Sequence, residues 1–560
     1  MIATNPGEPV RSAQKIVDVL SAQGVEYIFG VPGAKIDAVY DALVDGGPQL
    51  VVCRHEQNAA FMAGAIGRLT GSPGVVLVTS GPGTTNLATG LLTANTEQDP
   101  VVALCGAVRR EDRLKRTHQS MDAAAMLRTV TKFTGEVNDP DNVAEATVGA
   151  FRAAVSEPRG AAAVVLPADV LATPTTAGIT ARMPIPALAT APAAAIAKAS
   201  ELIRDARRPA LLIGIRGADP GTCQALRTLV AATRLPVVET FQAAGVISRA
   251  LEDYFLGRVG LFRNQPGDLI VAQADVLIAV GYDAIEYDPV LWNHDIGRTV
   301  VHIDSVPAQI DNNYQPTLEL IGNIAATLTA LTDSLSGLAL SNDYQAEIAK
   351  QRKALADIDV AARNHTPDGP GLDPVAVLLQ LREELDDEAT ITCDIGSVYI
   401  YMARHFRVYE PRRLLFSNGQ QTLGVALPWA MGACLVRPGT PVVSVSGDGG
   451  FLFSAQELET ATRLGLTFTH IILRDNSYDM VGFQEVLKYG RKSGVQLGDY
   501  DIVSYAAAFG ARGYRVKTLD EFSATLRQAL AEDGPSLIDV PVDYSRNLDL
   551  ATHLHDDSFE

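Results

Sequence analysis

No stretch of the chain holds the roughly 18 to 20 consecutive apolar residues that a membrane-crossing helix needs. Cysteine is scarce and odd in number: Cys53, Cys105, Cys223, Cys393 and Cys434 are the five in 560 residues. Most sit inside apolar strand or helix patterns, which excludes a disulfide framework and points to buried free thiols in a reducing compartment. Basic residues are also in deficit, with 46 Lys and Arg against 65 Asp and Glu and a net charge of −19. That balance argues against nucleic acid or an anionic membrane as partner. An anionic ligand must then be held by local groups rather than by the overall field. Met1–Gln14 lacks the apolar core of a secretory leader, so the expected location is the cytoplasm. Hydrophobic residues at 47% and charged residues at 20% exclude a disordered or fibrous chain. The length suits about three domains.

What is present concentrates between Ser446 and Asn476. Val442, Val443 and Val445 read as a buried strand that breaks into Ser446-Gly447-Asp448-Gly449-Gly450, and a second strand ends at Arg474-Asp475-Asn476-Ser477. If the strands are parallel neighbours, each places an acid in the crevice where open α/β sheets bind ligands. Carboxylates suit a hard cation, and glycines let backbone N–H groups approach a phosphate. Alone, Gly-Asp-Gly is an ordinary tight turn; the partner acid Asp475 turns the pattern toward a divalent cation with a diphosphate. No His or Cys joins the set, which favours magnesium over zinc.

Strand-like runs at Tyr27–Phe29, Val51–Cys53, Val75–Thr79, Val101–Leu104 and Ala163–Leu166 alternate with helical patterns, as in a doubly wound parallel sheet. Thr173–Ala195 is rich in Ala, Thr and Pro, including Met183-Pro184-Ile185-Pro186, and reads as an extended linker. A second α/β block has strands at Ala210–Ile213, Val237–Glu239, Val276–Val280 and Val300–Ile303. A charged helix over Asn342–Asp359 and a breaker-rich boundary at Asn364–Gly371 precede the third block. The expected domains are 1–172, 190–340 and 365–545. Val75–Gly83 and Val442–Gly449 share a strand-to-glycine-turn grammar, with Pro82 where Asp448 stands. The first and third blocks therefore read as a divergent duplication.

Gly447-Asp448-Gly449 with Asp475-Asn476 following, Asp475 lying 27 residues after Asp448, resembles the fingerprint of the thiamine-diphosphate (ThDP) enzymes. Gly30-Val31-Pro32-Gly33, Arg54-His55-Glu56-Gln57-Asn58 and Thr79-Ser80-Gly81-Pro82-Gly83 carry the likeness over nearly the whole chain. Within that family the chain is most similar to the catabolic acetolactate synthases of the butanediol or acetoin route. Gly30–Asp37, His118–Asp122, Asn418–Trp429 and Val443–Phe451 carry this narrower match.

The resemblance implies three doubly wound parallel-sheet α/β domains: one binding the pyrimidine, a middle one, and one binding the diphosphate. It places the acid that holds the pyrimidine N1′ at Glu56, with no protein base beside the thiazolium. It puts the apolar wedge that bends the cofactor at Leu423, and the backbones of Gln421 and Leu423 on the pyrimidine edge. Ile395, Gly396 and Ser397 fall on the diphosphate or thiazolium side, and Met480 beside the cofactor. Asp448, Asp475 and the Ser477 carbonyl become Mg²⁺ ligands, and Gly449, Gly450, Asn476 and Tyr478 the phosphate cradle. Gly33, Ala34, His118 and Gln119 line the substrate pocket, Gln119 bonding a bound intermediate.

The implied activity is condensation of two pyruvates to 2-acetolactate with loss of CO₂, through a hydroxyethyl carbanion on ThDP. Alternatives are another ThDP-dependent 2-oxo-acid decarboxylase, a pyruvate oxidase, or a non-catalytic paralogue, the last disfavoured by the intact Glu56, Asp448 and Asp475. Family sites lie between subunits, so a homodimer or homotetramer is expected. Two departures matter. Gly281-Tyr282-Asp283 replaces the Gly-Ala-Arg strand end of flavin-containing relatives, so no FAD is expected. Gln484 stands where anabolic relatives carry a tryptophan that favours 2-oxobutyrate, and Asp283 where they carry an arginine. Pyruvate is therefore expected as both donor and acceptor.

Overall fold

The structure, a computed structural model, describes residues 9–179, 185–293, 297–548 and 550. Three six-stranded sheets, each wholly parallel and flanked by helices, form three domains. Their strands include near-continuous apolar runs buried on both faces, such as Val101–Ala107 and Ala161–Pro167. That is the composition helix-covered parallel sheets require.

Numbered within each sheet in chain order, the strands of the first lie 2-1-3-4-6-5, and those of the third lie 2-1-3-4-6-5 as well. The duplication read from the glycine turns is thus a duplication of topology. The middle sheet is ordered 3-2-1-4-5-6, the arrangement of doubly wound dinucleotide folds. Helix Glu56–Thr70 of the first domain packs on helix Ala426–Val436 of the third, their backbones close because position 432 is glycine. A Cβ there would stand 2.8 Å from the Ala65 Cβ and 2.9 Å from the Met62 carbonyl oxygen. One hydrophobic core consequently mixes Phe29, Val51 and Ala63 with Met431, Phe451 and Ile472.

Several expectations shift. Strands Phe133–Glu136, Phe255–Val259, Leu318–Ile321 and Leu414–Leu415 escaped detection. They are short, and most run along a sheet edge or carry glycine or charge, so periodicity carries little signal. The stretch read as an extended linker carries regular structure at both ends: Pro174–Thr175 pairs antiparallel with Val10–Arg11, and a helix starts at Ala193. Residues 180–184, including Met183 and Pro184, lie outside the described residues. The charged helix runs on to Arg363, since no breaker intervenes before Asn364.

Candidate functional site

Strands Val442–Gly447 and Phe468–Arg474 pair in parallel and end side by side, as the sequence pattern requires. Asp448 opens a short helix, its Oδ1 accepting from the Gly449 N–H at 2.9 Å and its Oδ2 from the Asn476 N–H at 2.7 Å. Asp475 accepts from the Ser477 hydroxyl at 2.5 Å and its N–H at 3.3 Å. Burial, reinforced by Asp479 and Asp448, pushes the Asp475 carboxyl up to about 7, and burial raises Asp448 as well. Such a cluster of desolvated carboxylates is relieved by a bound cation.

Other features of the crevice fit a diphosphate and its metal. The buried Asn476 Oδ1 has no hydrogen-bond partner. Asn476 takes a left-handed φ of +58°. A Cβ on Gly449 would strike the Tyr478 ring at 2.6 Å, whereas one on Gly396, at φ +138°, would meet nothing within 4 Å. A cavity of about 290 Å³ gathers Ile395, Gly396, Ser397, Gln421, Leu423, Asp448, Gly449, Gly450, Asp475, Ser477, Tyr478, Met480 and Gln484. The third-domain expectations therefore converge in one place, although the cavity lining does not include Asn476, which is held against Asp448.

The first-domain candidates converge elsewhere. Glu56 begins the helix capped by the His55 ring, which accepts from the Gln57 N–H. It is 8% exposed, and its Oε2 accepts from Asn86 at 2.9 Å. Gly83 lies against Glu56, Gly33 against Thr79, and Gly81 against Gln119, whose Oε1 accepts from the Ser80 hydroxyl at 3.4 Å. Gln119 also has a positive φ, +61°. His118 and Ala34 are exposed beside this group. None of these residues lines the 290 Å³ cavity, whose walls come from the third domain and from Leu261 of the middle one.

At the strand ends of the middle sheet, Arg216 donates to both oxygens of Asp304 at 2.8 Å and to Asp283 at 2.9 Å. Gln98 of the first domain also donates to Asp283, at 2.9 Å. Asp283 is thus engaged in a network rather than aimed at the cavity.

Three acidic and amide residues near the site were missed. Asp394 follows strand Thr390–Cys393 and is buried. Asp479 accepts from the Ser397 hydroxyl at 2.8 Å and from Asn547. An acid directly after an apolar strand is the very signal used for Asp448, and it was available at Asp394. Asn547 lies on a terminal turn with no such signature.

Profiles of the thiamine pyrophosphate enzymes match the chain in three places: the N-terminal TPP binding domain over residues 10–126, the central domain over 196–331 and the C-terminal TPP binding domain over 394–540. The chain is 52% identical over 542 residues to an acetolactate synthase of Bacillus subtilis (strain 168), covering 97% of this chain and 95% of that protein. It is 44% identical to a catabolic acetolactate synthase of Raoultella terrigena, over 97% of each. It is 32% identical to the large subunit of acetolactate synthase isozyme 2 of Escherichia coli (strain K12), over 96% and 97%.

Proposed function

We propose, for a chain that belongs to the thiamine pyrophosphate enzymes and within them to the acetolactate synthases, that it joins two molecules of pyruvate into 2-acetolactate and releases CO₂. The placement of Asp448 and Asp475 at adjacent parallel strand ends, in one cavity with Leu423, carries this function. When bound, ThDP supplies a thiazolium carbon that adds to a 2-oxo acid and stores the electrons freed as CO₂ leaves.

The protein supplies the rest. Asp448, Asp475 and the Ser477 carbonyl would hold Mg²⁺, and Gly449, Gly450, Asn476 and Tyr478 the diphosphate. Leu423 would serve as the apolar wedge that bends the cofactor, with Gln421, Met480, Gly396 and Ser397 lining the same cavity. Glu56 holds a proton at the pyrimidine N1′, and Gln119 orients the substrate with Gly33, Ala34 and His118 around it.

Because Glu56 does not line the cavity of its own chain, we take each site to be completed by a second subunit, in a homodimer or homotetramer. Leu114, Leu452 and Phe453, exposed near the two half-sites, suit that contact. The free, mostly buried thiols support a cytoplasmic place, and the likeness to a catabolic acetolactate synthase supports the butanediol or acetoin route. No FAD is expected, because the guanidinium of Arg216 and the carboxylate of Asp283 already satisfy each other at the middle strand ends. We retain 1–172, 190–340 and 365–545 as the domain limits.

Purified protein incubated with ThDP, Mg²⁺ and equal pyruvate and 2-oxobutyrate should yield 2-acetolactate as the main product, since an apolar pocket separates one methylene by only about 1–3 kcal/mol and Gln484 offers none of that preference. Acetaldehyde or acetyl phosphate as the main product would overturn the synthase; mainly 2-aceto-2-hydroxybutyrate would overturn the catabolic assignment.

A further inference from the structure

Asp394 is a buried carboxylate with no task in the reaction just described. It is 1% exposed and lies directly after strand Thr390–Cys393. Its Oδ1 accepts from the Ile395 N–H at 2.8 Å and the Gly424 N–H at 2.9 Å; its Oδ2 accepts from Gly424 at 3.0 Å and Ala426 at 3.5 Å. No ion pair to it occurs among the described residues. A carboxylate so desolvated persists only where backbone donors satisfy it.

Those donors belong to different parts of the site. Ile395 leads into Gly396 and Ser397. Gly424, at φ +83°, follows Leu423 directly. Ala426 begins the helix whose N-terminal N–H groups favour an anion. A fourth piece touches the same group: a Cβ on Gly450 would stand 2.9 Å from the Asp394 Cγ. The segment facing the thiazolium, the wedge turn and the diphosphate loop all close on one side chain. With Asp394 removed, the Gly424 N–H would be a buried donor without an acceptor.

We propose that Asp394 is the positioning residue of the cofactor wedge, holding the Leu423–Gly424 turn in register with Ile395–Ser397 and Gly449–Gly450 before ThDP arrives. This rests on Leu423 acting as the wedge. Asp394 touches neither cofactor nor substrate, and its effect reaches the reaction through Leu423.

The test compares Asp394→Asn, Leu423→Ala and the double variant. Asp394→Asn keeps one acceptor oxygen but turns an amide donor toward Gly424 or Ala426. In the protein without ThDP, amide hydrogen exchange at Gly424 should rise by about tenfold, the loss expected for one weakened hydrogen bond. With ThDP and Mg²⁺, kcat should fall by about 10- to 100-fold at little-changed pyruvate KM, as for a reacting group held out of place. The double variant should lose no more kcat than Leu423→Ala alone, because the two act in series. Unchanged exchange at Gly424, or losses that simply add, overturns the proposal. Normal kcat in Leu423→Ala overturns the wedge itself, and the exchange measurement still decides whether Asp394 holds the turn. If Asp394→Asn does not fold, Gly450→Ala takes its place: its methyl group presses on the carboxylate and should raise exchange at Gly424, and no rise there refutes the coupling.

Discussion

The two residues to which the proposed chemistry assigns most, Glu56 and Asp448, sit in different half-sites of the chain, and their variants can be played against each other. Glu56→Gln should fold, bind ThDP with Mg²⁺ and lose about 100-fold or more in kcat, the range of a positioned acid. Asp448→Ala should lose Mg²⁺-dependent ThDP binding. Co-expressed, the two inactive chains should recover about a quarter of wild-type activity, since half the randomly mixed pairs are heterodimers with one intact site of two. No recovery would place both residues in one chain's site. The placement of Glu56 and Asp448 where a strand gives way to a helix was legible because their flanking motifs are local in sequence. Asn547, which bonds Asp479 from a terminal turn, was not, since only the fold brings it there. A second residue gives a pH dependence. Burial pushes the Glu286 carboxyl up to about 8, against hydrogen bonds from Thr240 and the Ile215 N–H; Asp283 raises it further and Arg216 lowers it. Its folded pKa is above its unfolded value, so its contribution to stability is full below the unfolded pKa near 4.5 and lost as pH rises through about 8. Melting temperature should fall between pH 6 and 9, and Glu286→Gln should flatten that slope; an unchanged slope would refute the assignment.

Among the elements, the paired helices Glu56–Thr70 and Ala426–Val436 matter most, because each starts at one half of the site. The backbone leading into the first is held from the other domain: Glu457 accepts from the Arg54 N–H at 2.8 Å and the His55 N–H at 3.0 Å. The second starts just beyond the turn that Asp394 holds. Their contact leaves no room for a side chain at position 432. Gly432→Leu should therefore cost about 1–3 kcal/mol by overpacking, seen as a lower denaturant midpoint, and should also weaken ThDP binding by shifting the Leu423 turn. Unchanged stability would mean the helices separate freely. Helix and strand identity were legible wherever apolar runs were long, as at Val276–Val280 and Val101–Ala107. The two-residue strand Leu414–Leu415 was not, being recognisable only by its neighbour Thr390–Cys393 in the sheet.

At the scale of the molecule, repetition was legible in the turns flanking Gly81 and Gly447, and the shared 2-1-3-4-6-5 order bears it out. The different order of the middle sheet was not legible, because strand order depends on crossovers that leave no mark on a strand's own residues. Nor could the sequence say which domains adhere. Phe29 and Val51 share a core with Phe451 and Ile472; the middle sheet buries Leu211, Leu226 and Ile278 within its own core, while Phe241 and Phe262 beside it join a core of the third domain. Covalent order and cooperative order thus disagree: the outer domains, separated along the chain by the middle one, should act as a single thermal unit. Calorimetry should resolve fewer than three heat-absorption peaks, and a fragment ending near residue 172 should not fold alone, because it would expose to water the helix face that only residues beyond 425 can cover.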